Sequence, residues 1–213
     1  MKSFDLSLYL VTDRSLSLGR SLESVVFDAA EGGVTMVQLR EKDCSTLEFY
    51  QQAMLLKECL RPYHIPLIIN DRLDIALACD AEGLHIGQSD IPYDIARKLL
   101  GKDKIIGLSV ECLQDVVDAN ELDVDYIGIS PVFGTPTKTD TAPALGLEGI
   151  REIVKISRHP AVGIGGINQT NAGDIIEAGA DGISVVSAIM SATDPKQAAF
   201  QLMNIIQKSK INI

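Results

Sequence analysis

The chain has 213 residues, 46% of them hydrophobic and 23% charged, which are ordinary proportions for a globular domain. Its formal net charge of −10 at pH 7 argues against sequence-independent binding to nucleic acid, which needs clustered Lys and Arg. It has no apolar run near the ~20 residues that span a bilayer and no N-terminal secretory signal, so we expect a cytoplasmic protein that does not bind membranes.

Short apolar runs alternate with amphipathic segments from one end of the chain to the other. The runs predict strands at residues 7–11, 36–39, 67–69, 83–86, 105–109, 126–129, 161–163 and 182–185. The segments between them predict helices at residues 22–31, 46–60, 93–100, 113–120, 147–156, 171–178 and 195–208. Such alternation is typical of a parallel sheet built from βα units. Eight strands can close a barrel, and no early Gly-x-Gly-x-x-Gly indicates a doubly wound sheet, so we predict a single-domain α/β fold, the (β/α)8 TIM barrel, over residues 1–213.

Two acids stand at the C-terminal ends of neighbouring predicted strands. Asp71 ends the run 66–71, Asp90 ends the run 83–90, and one helix-length segment separates them. In a parallel sheet both carboxylates would reach the same rim, where they could hold a Mg²⁺ ion shared with a phosphorylated ligand. Each acid could also be only a helix N-cap or a turn former.

Polar residues follow the other predicted strands, at the rim where barrels of this kind carry their catalytic groups. They are Gln38, Arg40, Glu41 and Lys42 after the second strand, Asn70 after the third, Ser109 in the fifth, and the segment 130–138 after the sixth. Arg40, Lys42 and Lys138 place positive charge on the rim that holds the two acids. Each alone would be an ordinary surface charge, but together they could stabilise a leaving pyrophosphate.

A glycine pair and a later hydroxyl predict a phosphate site. Gly165 and Gly166 follow the seventh strand, where they let the backbone approach a ligand closely. Val186 and Ser187 follow the eighth strand and are expected to open the last helix, whose N-terminal amides favour an anion. The alternative is that the glycines form only a tight turn and that Ser187 is only an N-cap.

The histidines indicate no nucleophilic or general-base site. His64, His85 and His159 fall before or inside predicted strands, so we expect them away from the upper rim and expect no Ser-His-Asp arrangement. The predicted site acts instead through electrostatics and positioning.

Six segments carry a resemblance to a known family, the thiamine-phosphate synthases. They are 37–43 (VQLREKD), 69–72 (INDR), 83–90 (GLHIGQSD), 135–138 (TPTK), 163–167 (GIGGI) and 186–189 (VSAI), in the family's order and spacing over nearly the full chain. This family joins 4-amino-2-methyl-5-(diphosphooxymethyl)pyrimidine to 4-methyl-5-(2-phosphooxyethyl)thiazole, or to its carboxylate form, with Mg²⁺. The products are thiamine phosphate and pyrophosphate. The resemblance implies that pyrophosphate departs before the thiazole nitrogen attacks.

The resemblance also implies roles for individual residues. It assigns Gln38, Arg40, Lys42, Asn70, Ser109 and Lys138 to the pyrimidine diphosphate, and Asp71 and Asp90 to Mg²⁺. It assigns Thr135, Thr137, Gly166, Val186 and Ser187 to the thiazole phosphate. Leu39, Glu41 and Pro136 lie in the same matching segments and are further substrate-binding candidates. Arg40, Lys42, Ser109 and Lys138 are the catalytic candidates.

One position departs from the family, and two alternative functions stay open. The family commonly has Ser followed two residues later by His, whereas this chain has Glu111 after Ser109. An acid at this position could weaken pyrophosphate binding, but we expect Glu111 to point outward as a first-turn acid of the next helix. The alternatives are a related thiazole tautomerase, which needs neither metal nor pyrophosphate, and a non-catalytic phosphate-binding barrel. The retained Asp71, Asp90 and Lys138 argue against both.

Overall fold

The computed structural model describes residues 4–134 and 143–211, and within them eight parallel strands form a closed barrel. The strands are β1 Leu8–Val11, β2 Met36–Leu39, β3 Leu67–Asn70, β4 Gly83–Ile86, β5 Ile105–Val110, β6 Tyr126–Ile129, β7 Ala161–Ile164 and β8 Gly182–Val185. Each strand pairs with its neighbours in the chain, and β8 returns to β1. The predicted (β/α)8 fold is confirmed, and each strand agrees with its prediction to within one residue at either end.

Helices surround the barrel in the order expected for repeated βα units. They are α1 Leu22–Glu31, α2 Thr46–Leu60, α3 Leu73–Ala78, α4 Tyr93–Leu100, α5 Leu113–Ala119, α6 Gly146–Ile156, α7 Ala172–Glu177, α8 Ser187–Met190 and α9 Pro195–Ile211. The sequence did not predict α3 and α8, which have six and four residues and cover fewer than two turns. It did predict α7, which also has six residues, so a short helix gives only a weak periodic signal. No helix in the described part of the chain is long and apolar enough to cross a membrane.

Successive side chains of each strand point to opposite faces, so the protein has an outer core between the barrel and the helices and an inner core inside the barrel. On β2, Val37 and Leu39 belong to the cluster packed beneath the helices, whereas Met36 belongs to the cluster inside the barrel. The inner cluster is apolar apart from two tyrosine hydroxyls and consists of Leu6, Tyr9, Met36, Ile68, Ile105, Tyr126 and Val162. The next inward positions toward the C-terminal ends of the strands are polar, among them Gln38 and Asn70. The barrel is therefore filled at its lower end and lined with polar groups at its upper end.

Candidate active site

A cavity of about 530 Å³ opens at the C-terminal ends of the strands. The site residues predicted from the sequence that line it are Gln38, Arg40, Lys42, Asn70, Asp71, Asp90, Ser109, Gly166, Val186 and Ser187. We call the part formed by Arg40, Lys42, Asp71 and Asp90 the charged half of the rim. We call the part formed by Gly165, Gly166, Val186 and Ser187 the glycine half. The two halves lie on opposite sides of the mouth, because β3 and β7 are four strands apart in the closed barrel of eight.

Asp71 is held at the centre of the charged half. Its carboxylate accepts a hydrogen bond of 2.9 Å from Lys42 Nζ, and its backbone N–H donates to the His85 carbonyl at 2.9 Å. The backbone of Asp71 is left-handed, with φ of 60°. A non-glycine residue in this conformation costs on the order of 1 kcal/mol and persists only where its surroundings hold it. The backbone bond to His85 and the contact with Lys42 together hold the Asp71 carboxylate at the cavity.

Asp90 lies beside Asp71 at the end of the loop after β4. Its Oδ2 atom accepts a hydrogen bond of 2.6 Å from the Gly87 N–H. Partial burial raises the pKa of the Asp90 carboxyl above its ordinary value, and the Asp71 carboxylate raises it further, whereas the Gly87 amide and Lys42 act in the opposite direction. The two carboxylates are thus close enough to repel each other, and a cation between them would relieve that repulsion.

The donor set fits Mg²⁺ better than a metal held wholly by protein. Within residues 4–134 and 143–211, no group of three or more His, Cys, Asp or Glu side chains is arranged to hold a metal ion. A cation at Asp71 and Asp90 would therefore complete its coordination with water or substrate oxygens. Mg²⁺ commonly binds in this way, through one or two carboxylates together with phosphate oxygens.

Two candidates from the matching segment 37–43 do not line the cavity. Leu39 is fully buried in the outer core, because it alternates with the inward-facing Gln38. Glu41 points to the side, where its Oε1 atom accepts a hydrogen bond of 2.8 Å from Arg14 Nη2, and its side chain is only 6% exposed. Arg40 lies between them and does line the cavity, with its backbone N–H donating to Thr12 Oγ1 at 3.1 Å.

The glycine half depends on close packing between two loops. Gly165 and Gly166 have φ of 107° and 64°, in the region that favours glycine. A Cβ at Gly166 would lie 2.8 Å from the Gly134 carbonyl oxygen and 2.8 Å from Phe133 Cβ. Phe133 N–H also donates to the Gly165 carbonyl at 3.1 Å. The glycine pair therefore lets the loop after β6 lie directly against the loop after β7.

Ser187 begins a different helix from the one expected. It opens α8, a four-residue helix, whereas the last helix, α9, begins at Pro195. The expectation that Val186 and Ser187 open the last helix is wrong, because α8 is too short to be recognised from sequence periodicity. Both residues nevertheless line the cavity, as expected. Thr135, Pro136, Thr137 and Lys138 lie outside the described residues.

Two further residues line the cavity against expectation. His85 faces inward from β4, with Nε2 2.9 Å from Ser109 Oγ, so the prediction that it lies away from the site is wrong. Glu111 also lines the cavity and does not start a helix, because α5 begins at Leu113. Asp115 is the acid in the first turn of α5, and its carboxylate accepts a hydrogen bond of 2.8 Å from the Glu111 N–H. His85 alternates along β4 with the apolar Leu84 and Ile86, which belong to the outer core, and this alternation was the available signal for its inward direction.

Comparisons with known proteins agree on one family. Residues 8–189 match the family model described as thiamine monophosphate synthase. The chain is 54% identical over 201 residues to a thiamine-phosphate synthase of Albidiferax ferrireducens, covering 94% of this chain and 92% of that one. It is 52% identical over 209 residues to that of Syntrophomonas wolfei, covering 98% and 100%. The solved structure of a thiamine phosphate pyrophosphorylase from Pyrococcus furiosus superposes with a TM-score of 0.88 at 38% identity, covering 96% of each chain.

Proposed function

The chain belongs to the thiamine monophosphate synthase family, and from this premise we propose how its cavity joins an aminopyrimidine methyl diphosphate to a thiazole phosphate. The protein is a transferase that acts on small molecules and forms thiamine phosphate with release of pyrophosphate. The observation that carries the proposal is the division of one cavity into a charged half and a glycine half. Two phosphorylated substrates need two anion sites, and they need them within one enclosure.

We assign the diphosphate to the charged half. Lys42 and Arg40 supply positive charge there, and Asn70 and Ser109 supply polar groups beside it. Asp71 and Asp90 would hold Mg²⁺, which when bound neutralises charge on the departing pyrophosphate. Lys42, whose side chain is 52% exposed, forms an ion pair of 2.9 Å with Asp71 at the rim. Gln38, deeper in the cavity, is then placed to contact the pyrimidine ring.

We assign the thiazole phosphate to the glycine half. A phosphate placed next to Asp71 and Asp90 without a cation of its own would be repelled, whereas Gly166, Val186 and Ser187 bring backbone and a hydroxyl to the opposite wall. In this arrangement the methylene carbon of the pyrimidine substrate and the thiazole nitrogen would lie between the two anion sites. The family resemblance adds Thr135 and Thr137 to these contacts, and it adds Lys138 to the diphosphate contacts of the charged half.

The chemistry needs no nucleophile from the protein. Loss of pyrophosphate leaves a cation at the pyrimidine methylene carbon, which the electron-rich amino-substituted ring stabilises. The thiazole nitrogen then forms the new C–N bond at that carbon. The work of the described side chains is to bind the leaving group, hold both rings in line and exclude water from the cation.

A reconstitution assay tests the proposal. The purified protein is mixed with both substrates and Mg²⁺, and thiamine phosphate and pyrophosphate are measured together. We expect the two products in equal amounts, and none when either substrate is omitted. Isomerisation of a thiazole phosphate without pyrophosphate release would support the tautomerase alternative. Binding of both substrates in calorimetry without any turnover would support the non-catalytic barrel. Either result would overturn the proposal.

A further inference from the structure

Two tyrosine hydroxyls meet inside the barrel beneath the cavity. Tyr9 from β1 and Tyr126 from β6 are 1% and 0% exposed, and their hydroxyl oxygens lie 2.8 Å apart. The Tyr126 ring crosses the barrel only because β5 has a glycine at Gly107, where a Cβ would lie 2.1 Å from Tyr126 Cζ. The proposed reaction makes no direct use of either hydroxyl.

The tyrosine pair is the middle of a longer hydrogen-bonded chain. Gln38 Nε2 donates to the Tyr9 hydroxyl at 2.7 Å. On the other side, the Tyr126 hydroxyl lies 2.9 Å from His85 Nδ1, and His85 Nε2 lies 2.9 Å from Ser109 Oγ. We call these five residues the buried relay. Its two ends, Gln38 and Ser109, are both among the side chains assigned to the pyrimidine diphosphate.

Counting the hydrogens in the buried relay determines which group donates and which accepts in each of its hydrogen bonds. Each hydroxyl has one hydrogen to donate. Since Gln38 donates to Tyr9, the Tyr9 hydrogen goes to Tyr126, and the Tyr126 hydrogen goes to His85 Nδ1. A neutral His85 then carries its hydrogen on Nε2 and donates it to Ser109. Burial raises the pKa of both tyrosines, so each keeps its hydrogen.

We propose that Tyr9 and Tyr126 are positioning residues that set opposite hydrogen-bonding roles at the two ends of the buried relay. One hydrogen of the Gln38 amide nitrogen goes to Tyr9, which turns the nitrogen toward Tyr9 and leaves the amide oxygen as the group that faces the ligand. Ser109 receives a hydrogen from His85, so its own hydrogen is available to the ligand. An acceptor at Gln38 suits the exocyclic amine of an aminopyrimidine, and a donor at Ser109 suits a diphosphate oxygen. The inference rests on the proposed function for the identity of this ligand.

Nitrogen NMR of the resting protein tests the direction without any turnover. The chain has three histidines, so ¹⁵N-histidine labelling together with His64→Gln and His159→Gln variants identifies the His85 signals. We expect neutral His85 with its hydrogen on Nε2. A hydrogen on Nδ1, or on both nitrogens, would overturn the assigned direction whether or not the enzyme is active.

Variants within the buried relay test whether a change at one of its residues alters the hydrogen bonds of a distant one. In Gln38→Glu the introduced carboxylate can only accept, so Tyr9 must donate to it and the His85 hydrogen should move to Nδ1, three links away. Tyr126→Phe should leave His85 as a mixture of both tautomers. The matched control is Tyr63→Phe, whose hydroxyl donates to Glu31 at 2.7 Å among the outer helices and should change neither signal. An unchanged His85 tautomer in both relay variants would overturn the proposal.

Ligand selectivity gives the second readout. Calorimetry compares the 4-amino pyrimidine methyl diphosphate with its 4-oxo analogue in the absence of thiazole phosphate. We expect the wild-type protein to prefer the amine by about tenfold or more, because the oxo group would face the Gln38 oxygen. In Tyr9→Phe the amide is free to rotate, and most of this preference should disappear while KM for the thiazole phosphate stays unchanged. An equal preference in the two folded proteins would contradict the role assigned to Tyr9.

Discussion

The charged half and the glycine half of the rim bind anions in different ways, and they differ in how much of the fold depends on them. The charged half uses side chains that stand on the rim, with Lys42 and Asp71 52% and 27% exposed. The glycine half uses backbone, and it exists only because Gly165 and Gly166 adopt positive φ against the loop after β6. Changes in the charged half should therefore affect chemistry alone, whereas changes in the glycine half should affect chemistry and stability together.

The largest effect is expected at Asp71. Asp71→Asn removes a charge but keeps a residue that tolerates the left-handed backbone, so it is a cleaner change than Asp71→Ala. We expect turnover to fall by about 10²- to 10³-fold and the melting temperature to change by less than about 2 °C. Steady-state kinetics and thermal unfolding measure the two. A large loss of stability would remove the contrast between the halves.

Gly166→Ala should produce the opposite pattern. The new Cβ would lie 2.8 Å from the Gly134 carbonyl oxygen and 2.8 Å from Phe133 Cβ, and the alanine would have to adopt the left-handed φ of 64°. We expect the free energy of unfolding to drop by about 1–3 kcal/mol and KM for the thiazole phosphate to rise about tenfold. Gly101→Ala is the matched control, because Gly101 has φ of 80° but no atom within 4 Å of the added Cβ. Gly101→Ala should lower the free energy of unfolding and leave KM for the thiazole phosphate unchanged. An altered KM for the pyrimidine substrate alone would argue against the assignment of the halves.

The smallest effect is expected at Glu41, which supports the charged half from outside the cavity. Glu41→Gln weakens the pair with Arg14 that holds the loop carrying Arg40 and Lys42. We expect KM for the pyrimidine diphosphate to rise about three- to fivefold, with less than about 1 kcal/mol lost in unfolding. Glu58→Gln, which weakens an exposed pair with Arg61, is the control and should change neither. A changed KM for the thiazole phosphate would show that the loop does not act on the charged half alone.

The fold was readable from the sequence because its signals are local. Strands of four to six residues alternate with helices whose apolar positions recur, and the parallel order then brings strand ends such as Asp71 and Asp90 to one rim. The predictions that failed are those for which the local signal was weak or absent. The short α3 and α8 cover fewer than two turns and give at most a weak periodic signal. The acid in the first turn of α5 could not be identified as Asp115 rather than Glu111 without knowing where the helix begins.

The interior of the barrel was less readable. Whether His85 faces the cavity depends on the register of β4, and a shift of one residue would turn it toward the helices. The contact between Tyr9 and Tyr126 joins residues 117 positions apart, through the interior of the barrel. No local pattern reports such a contact. Gly107 leaves room for the Tyr126 ring, but the reason for this glycine can be recognised only when the closed barrel shows which side chain lies against it.

Mg²⁺ affinity tests the central claim most directly, namely that Asp71 and Asp90 hold the metal that assists the leaving pyrophosphate. Calorimetry follows Mg²⁺ binding in the presence of inorganic pyrophosphate for the wild-type protein, Asp71→Asn and Asp90→Asn. We expect binding to weaken by about tenfold or more in each variant, while all three proteins keep similar melting temperatures. Equal Mg²⁺ affinity in the wild-type protein and both variants would contradict the account.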